Sequence, residues 1–374
     1  MRNFAYNQAM KLLFVVHQPV RFNVETPERE PLGGTESATA YLARQLAANG
    51  HDVSLMTNLP DGTPERLLDV RHLPIATGRN TEFLAAENFD AVIGVSVAIL
   101  AQRLREAAPR ALHIAWLHAL PDQPAMKPLP EAAPFIDHAV FVSEFHRNAV
   151  RFAGSSHIIG NGIAPAFENL FAAPAELLAA KQNRGAYTTT PFRGLHILIK
   201  AFAQARIVSE LDVWSGMEVY QADNAPFMGL FAEARATPRL RLHAPIGQPE
   251  LAERLKPVAF LFYPSVFFET YCISALEAIA AGLKVVSTDL GALRETTLGF
   301  AELMPVIGLP PETLLKNFTA LMEKTESQFL ADRRAWAEER FAQSRDVVRR
   351  CNWRARAKEW EAFLGPRVAA RRGS

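Results

Sequence analysis

The sequence predicts two Rossmann-like α/β domains. Three observations carry that prediction. The chain is 374 residues long, and at roughly 100–200 residues per domain this length suits two domains. Short apolar runs rich in β-branched residues alternate with helical stretches, the pattern of a parallel sheet covered on both faces. The alternation pauses near the middle of the chain and then begins again.

Lys11 to His17, KLLFVVH, reads as a buried parallel strand. A loop ending in Gly33 and Gly34 leads into a helical pattern from Thr35 to Ala47, stopped by Asn49-Gly50, and His51 to Thr57 is the next strand. This is a strand–helix–strand unit with a glycine turn before the helix. Further strands are predicted at Ala91–Ser96, Ala111–His118, Ala139–Ser143 and His157–Ile159, with helices at Ile99–Ala107 and Glu144–Phe152. The second series has strands at Gly185–Thr189, Leu211–Ser215, Leu240–His243, Val258–Tyr263 and Val285–Thr288. Its helices are predicted at Gly194–Ala205, Glu250–Leu255 and Ile273–Ala281. The break falls near residues 163–183, around Pro165 and Pro174. The closing stretch from Arg333 to Leu364 is helical and broken at Asn352, with Trp353 and Trp360 on one helical face. No repeat of solenoid period is visible.

Hydrophobic residues make up 49% of the chain, enough for two cores. Forty basic residues against 39 acidic ones give a net charge of +1, which argues against a nucleic-acid partner. Two cysteines, Cys272 and Cys351, cannot build a disulfide framework and are expected as reduced thiols, in keeping with a cytoplasmic location. No run of 18 apolar residues predicts a membrane span. Met1 to Ala9 lacks the apolar core of a signal peptide and reads as a polar extension. Arg367 to Ser374 reads as a solvated basic tail, with a weak membrane-touching role as the other reading.

The richest segment for chemistry is Pro264 to Gly282, PSVFFETYCISALEAIAAG. Glu269 lies in the loop after a strand and Glu277 about one turn into the following helix. Between them Thr270, Tyr271, Cys272 and Ile273 bring backbone N–H groups to a helix N-terminus, an environment that suits a diphosphate. A carboxylate at Glu277 can accept hydrogen bonds from the vicinal hydroxyls of a ribose. The plain alternative is a glutamate that caps or solvates a surface helix. Its neighbours Leu276, Ala278 and Ile279 favour burial, where a charge calls for a partner.

This segment resembles the signature of the retaining glycosyltransferase family four, the glycosyl transferases group 1, which has the GT-B fold. The matching residues are Pro264, Ser265, Glu269, Glu277, Ala278 and Gly282, continued by Val285 to Glu295, VVSTDLGALRE. The Gly33-Gly34 turn, Asn161-Gly162-Ile163, Arg193-Gly194-Leu195 and the terminal tryptophan helix extend the resemblance over most of the chain. It implies two facing domains: residues 1–165, with a helix at 350–374 crossing back to them, on the acceptor side, and residues 166–349 binding the donor. It implies that Glu277 holds the donor ribose and that Glu269 faces the hydroxyls of the donor sugar. Arg193 stands where the family has a lysine on the diphosphate, and a guanidinium keeps that role. Gly33 and Gly34 would let backbone approach the donor phosphate or the acceptor; an ordinary turn is the alternative. His118, at a strand end, would lie near the reacting sugar, or be structural.

The implied activity is that of a hexosyltransferase-type enzyme. It moves a sugar from a nucleotide diphosphate sugar to an acceptor hydroxyl with retention, in glycan, polysaccharide or glycoconjugate biosynthesis. The acceptor could be a saccharide, a lipid-linked saccharide or a small molecule, with peripheral membrane contact left open. No Asp-x-Asp motif stands at a strand end, so neither a metal nor another cofactor is expected. The family's Gly-Arg pair before the diphosphate cation is replaced by Tyr187 to Thr190, which brings Thr190 into the candidate donor site. The family's glycine after the Thr-aromatic pair is Cys272; a single thiol without a nearby base is a poor nucleophile. Two other readings stay open: a nucleotide-sugar epimerase on the same fold, and a nucleotide-sugar binding protein without catalysis.

Overall fold

A computed structural model describes residues 8–373; most of the N-terminal extension, and Ser374, lie outside the described residues. The chain forms two compact units. One takes the chain up to Pro27, then Gly33–Gly162, then the stretch from Trp353; the other comprises Glu28–Leu32 and Ile163–Asn352.

The first unit is built on a sheet of order β3-β4-β2-β1-β5-β6-β7-β8. Its strands are β1 Lys11–Val15, β2 Asp52–Thr57, β3 Arg66–Leu67, β4 Val70–Pro74, β5 Ala91–Val95, β6 Leu112–Leu117, β7 His138–Phe141 and β8 Ser155–Ile158. All pairings are parallel except β3 with β4. The apolar runs KLLFV and LHIAWL sit at the centre because a parallel sheet is covered on both faces. A terminal helix, Trp353–Arg372, packs on β6 and on helix Gly34–Ala48. Trp360 is fully buried edge-on to Trp116 at 5.2 Å. The arginine-rich end is therefore no solvated tail. Arg371 pairs with Asp137 at 3.1 Å and Arg372 with Asp90 at 2.5 Å, which fastens the last helical turn to the sheet.

The second unit holds a wholly parallel sheet of order β11-β10-β9-β12-β13-β14. Its strands are β9 Gln182–Tyr187, β10 Glu210–Trp214, β11 Leu240–His243, β12 Val258–Tyr263, β13 Lys284–Thr288 and β14 Glu302–Met304. Helices Leu195–Gln204, Gln248–Leu255 and Ile273–Ala280 follow β9, β11 and β12. Helix Pro311–Ala331, absent from the sequence prediction, starts with proline at its first position, where the missing N–H costs nothing. Helix Arg333–Cys351 is capped by the Asp332 side chain, which accepts from Ala335 N at 2.9 Å. It ends at Asn352, whose backbone is extended and whose Nδ2 donates to Val348 O at 2.7 Å.

Strand β9 begins and ends earlier than predicted. Thr188–Thr190 lie beyond it, because the buried Tyr187 hydroxyl donates to Thr190 O at 2.8 Å and the chain turns into Pro191. Among the described residues no helix is long and apolar enough to cross a membrane.

Candidate functional site

The candidate residues fall into two groups, one in each unit. Gly33, Gly34 and His118 belong to the first unit; Thr190, Arg193, Glu269, Thr270, Tyr271, Cys272, Ile273 and Glu277 belong to the second.

In the first unit Gly33 is the N-cap of helix Gly34–Ala48, with φ −60° and ψ 153°, a conformation open to any residue. His118 directly follows β6. Its backbone N–H donates to Ser96 Oγ at 3.1 Å, and its Nε2 lies 3.4 Å from Asn161 Oδ1. Burial pushes its imidazole down to about 3, so at neutral pH it is a neutral hydrogen-bonding group. His17 is exposed two residues beyond β1.

In the second unit the ends of β9 and β12 bring Arg193 and Glu269 together across 76 positions of sequence: Arg193 Nη1 donates to Glu269 Oε1 at 2.6 Å. Tyr263, the last residue of β12, donates to the same oxygen at 2.5 Å. Arg193 Nη2 reaches the Tyr220 hydroxyl at 3.3 Å, and the guanidinium lies 4.3 Å from the centre of the Phe267 ring. Burial works to lower the pKa of Arg193, but Glu269 and the tyrosine hydroxyls outweigh it and hold the pKa well above its usual value. The guanidinium thus stays charged with three N–H bonds uncommitted, Nε–H among them, since five are available and two are used.

Two glycines make this convergence feasible. Gly194 has φ +121°, and a Cβ there would lie 2.1 Å from Pro264 O. Gly291 has φ +68°, and its Cβ would strike the Glu269 backbone at 2.4 Å. Only glycine serves at such positions. Beside Gly291, Ala292 N donates to Glu269 O at 2.7 Å, so the loop carrying Glu269 is clamped through its backbone.

Two buried donors here have no hydrogen-bond partner among the described residues: Arg193 Nε and Thr190 Oγ1, the latter on the residue whose carbonyl accepts from Arg193 N at 3.2 Å. A buried donor without a partner costs roughly 1–3 kcal/mol, and a ligand rich in oxygen acceptors would remove that cost. Lys181 and Arg184 supply no cation here. Lys181 Nζ is buried and donates to Ala281 O at 2.7 Å and Leu255 O at 3.3 Å, and Arg184 pairs with Asp212.

Glu277 is the fifth residue of helix Ile273–Ala280 and is 4% exposed. Ala164 N donates to its Oε1 at 3.0 Å. Burial raises its carboxyl to about 8, against the lowering by that hydrogen bond. Cys272 caps the helix without a side-chain capping bond, and Thr270 and Tyr271 lie in the loop before it. The Cys272 thiol is turned inward, 3.5 Å from Ser274 Oγ, and burial pushes it up to about 12, which disables it as a nucleophile. Among the described residues no group of three or more His, Cys, Asp or Glu side chains could hold a metal ion.

The sequence reading missed Tyr263 and Tyr220. A signal for Tyr263 was present: a single polar tip at the end of the apolar strand VAFLFY. Tyr220 carries none, because it ends a single 3-10 turn, Glu218–Tyr220, held by Asn224, which accepts from Met217 N and donates to Glu218.

The fold is GT-B. Sucrose-phosphate synthase from Thermosynechococcus elongatus superposes with a TM-score of 0.71 at 17% identity, covering 96% of this chain and 100% of that one. A glycosyltransferase from Rickettsia africae has a TM-score of 0.69 at 14% identity, covering 97% and 99%. HepE of Anabaena, in complex with UDP-glucose, has a TM-score of 0.67 at 15% identity, covering 96% and 98%. No curated protein matches the sequence. Residues 32–167 match the family model described as Glycosyltransferase Family 4. The chain therefore carries a Glycosyltransferase Family 4 segment on a GT-B fold, as its sequence resemblance implied. The matched segment stops before Arg193, Glu269 and Glu277, whose roles rest on their own geometry.

Proposed function

We propose that the protein is a retaining glycosyltransferase that transfers a sugar from a nucleoside diphosphate donor to an acceptor hydroxyl without a metal. The observation that carries this reading is the charged Arg193, paired with Glu269, whose own Nε–H and the nearby buried Thr190 hydroxyl lack partners among the described residues. A diphosphate offers the acceptors those donors need, and the arginine keeps free N–H bonds after its pairing with Glu269. Glu277 then accepts from the donor ribose, and Glu269 turns its second oxygen to the donor sugar. The backbone at Thr270 to Ile273 adds the helix N-terminus to the diphosphate site.

Transfer breaks the bond between the anomeric carbon and the leaving phosphate oxygen as the acceptor oxygen bonds to that carbon. Negative charge grows on the departing diphosphate, so a fixed cation and fixed donors favour the transition state over the bound donor. The acceptor proton passes to the departing phosphate.

The test is a thermal-shift screen with uridine, guanosine, adenosine and thymidine diphosphate hexoses, since a ligand that binds the folded state raises Tm. The bound donor is then incubated with and without candidate acceptors. A Tm rise, followed by acceptor-dependent release of nucleoside diphosphate, is expected. Conversion of the donor sugar with no acceptor present, or no Tm rise with any donor, overturns the reading.

A further inference from the structure

We propose that Tyr263 is the positioning residue that aims Glu269 at the donor sugar; this rests on the role given to Glu269 above. The carboxylate has one soft degree of freedom. Its backbone is clamped by Gly291 and by Ala292 N, but its terminal torsion is broad and nearly two-fold, so its two oxygens are readily exchanged. Both side-chain hydrogen bonds of Glu269 converge on Oε1, from Tyr263 at 2.5 Å and from Arg193 at 2.6 Å. Two donors on one oxygen fix the carboxylate plane and leave Oε2 to accept from a sugar hydroxyl.

The two donors are not equivalent. A diphosphate on the free N–H bonds of Arg193 shares the positive charge that Oε1 now has to itself, so the Arg193 bond to Oε1 weakens when the donor arrives. The neutral Tyr263 hydroxyl is not drawn away. Nor can its ring swing: it is fully buried, edge-on to Tyr187 at 5.9 Å, with Ser265 Oγ 3.2 Å from its hydroxyl. Burial, with the charge of Glu269 added, holds the hydroxyl well above its usual pKa. Tyr263 therefore stays a donor at any working pH and does not serve as a general base.

The test compares wild type, Tyr263→Phe, Glu269→Gln and the double variant. The probes are whichever of UDP-glucose, GDP-mannose, ADP-glucose and dTDP-glucose most raises the wild-type Tm, and the matching nucleoside diphosphate. A hydrogen bond to a charged group governs roughly a tenfold or larger change in an equilibrium. Tyr263→Phe is accordingly expected to weaken the sugar nucleotide about tenfold, while the nucleoside diphosphate changes less than about twofold. In the Glu269→Gln background the same change should add less than about twofold, because coupled residues are non-additive. Equal losses for both probes, no loss, or additive losses would overturn the proposal. If Glu269→Gln binds the sugar nucleotide as wild type does, or no probe binds, the assigned role of Glu269 fails first and takes the proposal with it. Should Tyr263→Phe alone not fold, the double variant against Glu269→Gln supplies the comparison.

Discussion

Replacing Arg193 with alanine should damage two properties that can be separated. The guanidinium is the cation paired with Glu269 and the one proposed to stabilise the leaving diphosphate. Loss of such an electrostatic donor lowers turnover by about 10²–10³, and the loss should fall more on kcat than on KM because the charge develops in the transition state. The substitution also strips the cation from Glu269, which is 3% exposed and keeps only the Tyr263 hydroxyl. Breaking a buried pair costs about 3–5 kcal/mol. The Arg193 side chain retains 20% exposure, which places the cost near the lower figure. For a domain of about 150–250 residues, about 3 kcal/mol lowers Tm by about 6–12 °C. Arg193→Ala with Glu269→Gln removes the unpaired charge, so it should recover most of that Tm and none of the turnover. Arg193→Lys should recover part of the turnover, because an ammonium keeps the charge and loses the planar fork. Steady-state kinetics with the donor found by thermal shift, alongside unfolding curves, reads both effects. The reasoning is refuted if Arg193→Ala keeps more than about half of wild-type turnover, or if the double variant regains it.

Other consequences are direct. Burial puts the Glu277 carboxyl at about 8 against a usual 4.5. Between those values the folded state holds a proton that the unfolded chain has lost, so stability falls as pH rises through that window, by up to about 1.4 kcal/mol per unit. Glu277→Gln lacks this slope, so its Tm relative to wild type should rise between pH 5 and pH 8; parallel curves contradict the assignment. Activity should survive EDTA, because the proposed site meets the phosphates with amides, hydroxyls and a guanidinium; complete inhibition reversed by added metal argues the opposite. Proton NMR of the first-formed product should show the anomeric configuration of the donor, and inversion would remove the protein from the proposed mechanism.

The alternation of apolar runs and helical stretches made both sheets legible, because buried parallel strands write themselves as continuous hydrophobic sequence. Three strands escaped: β3 of two residues and β14 of three are too short to show, and β4, VRHLP, is broken by Arg71, His72 and Pro74 and so does not read as a continuous apolar run. The β-branched Thr188–Thr190 looked like strand, yet the Tyr187 hydroxyl and Pro191 turn the chain there. Glu277 was singled out as a charge in an apolar helix, but its partner, Ala164 N, is 113 positions away. The tail arginines likewise find Asp90 and Asp137 across more than two hundred positions, so composition alone read them as solvated. Pairings at such range are set by tertiary packing, and no local pattern reports them.

The central claim is that the second unit holds a nucleoside diphosphate sugar through Arg193, Glu269 and Glu277. Isothermal titration of wild type and of Glu277→Ala with the donor tests it most directly. Above pH 8 the Glu277 carboxyl is ionised, and a hydrogen bond involving a charged group contributes roughly 1.5–3 kcal/mol, so a titration there should find a folded Glu277→Ala binding the donor about tenfold or more weakly. Equal affinity in a folded variant would contradict the ribose contact and with it the placement of the donor.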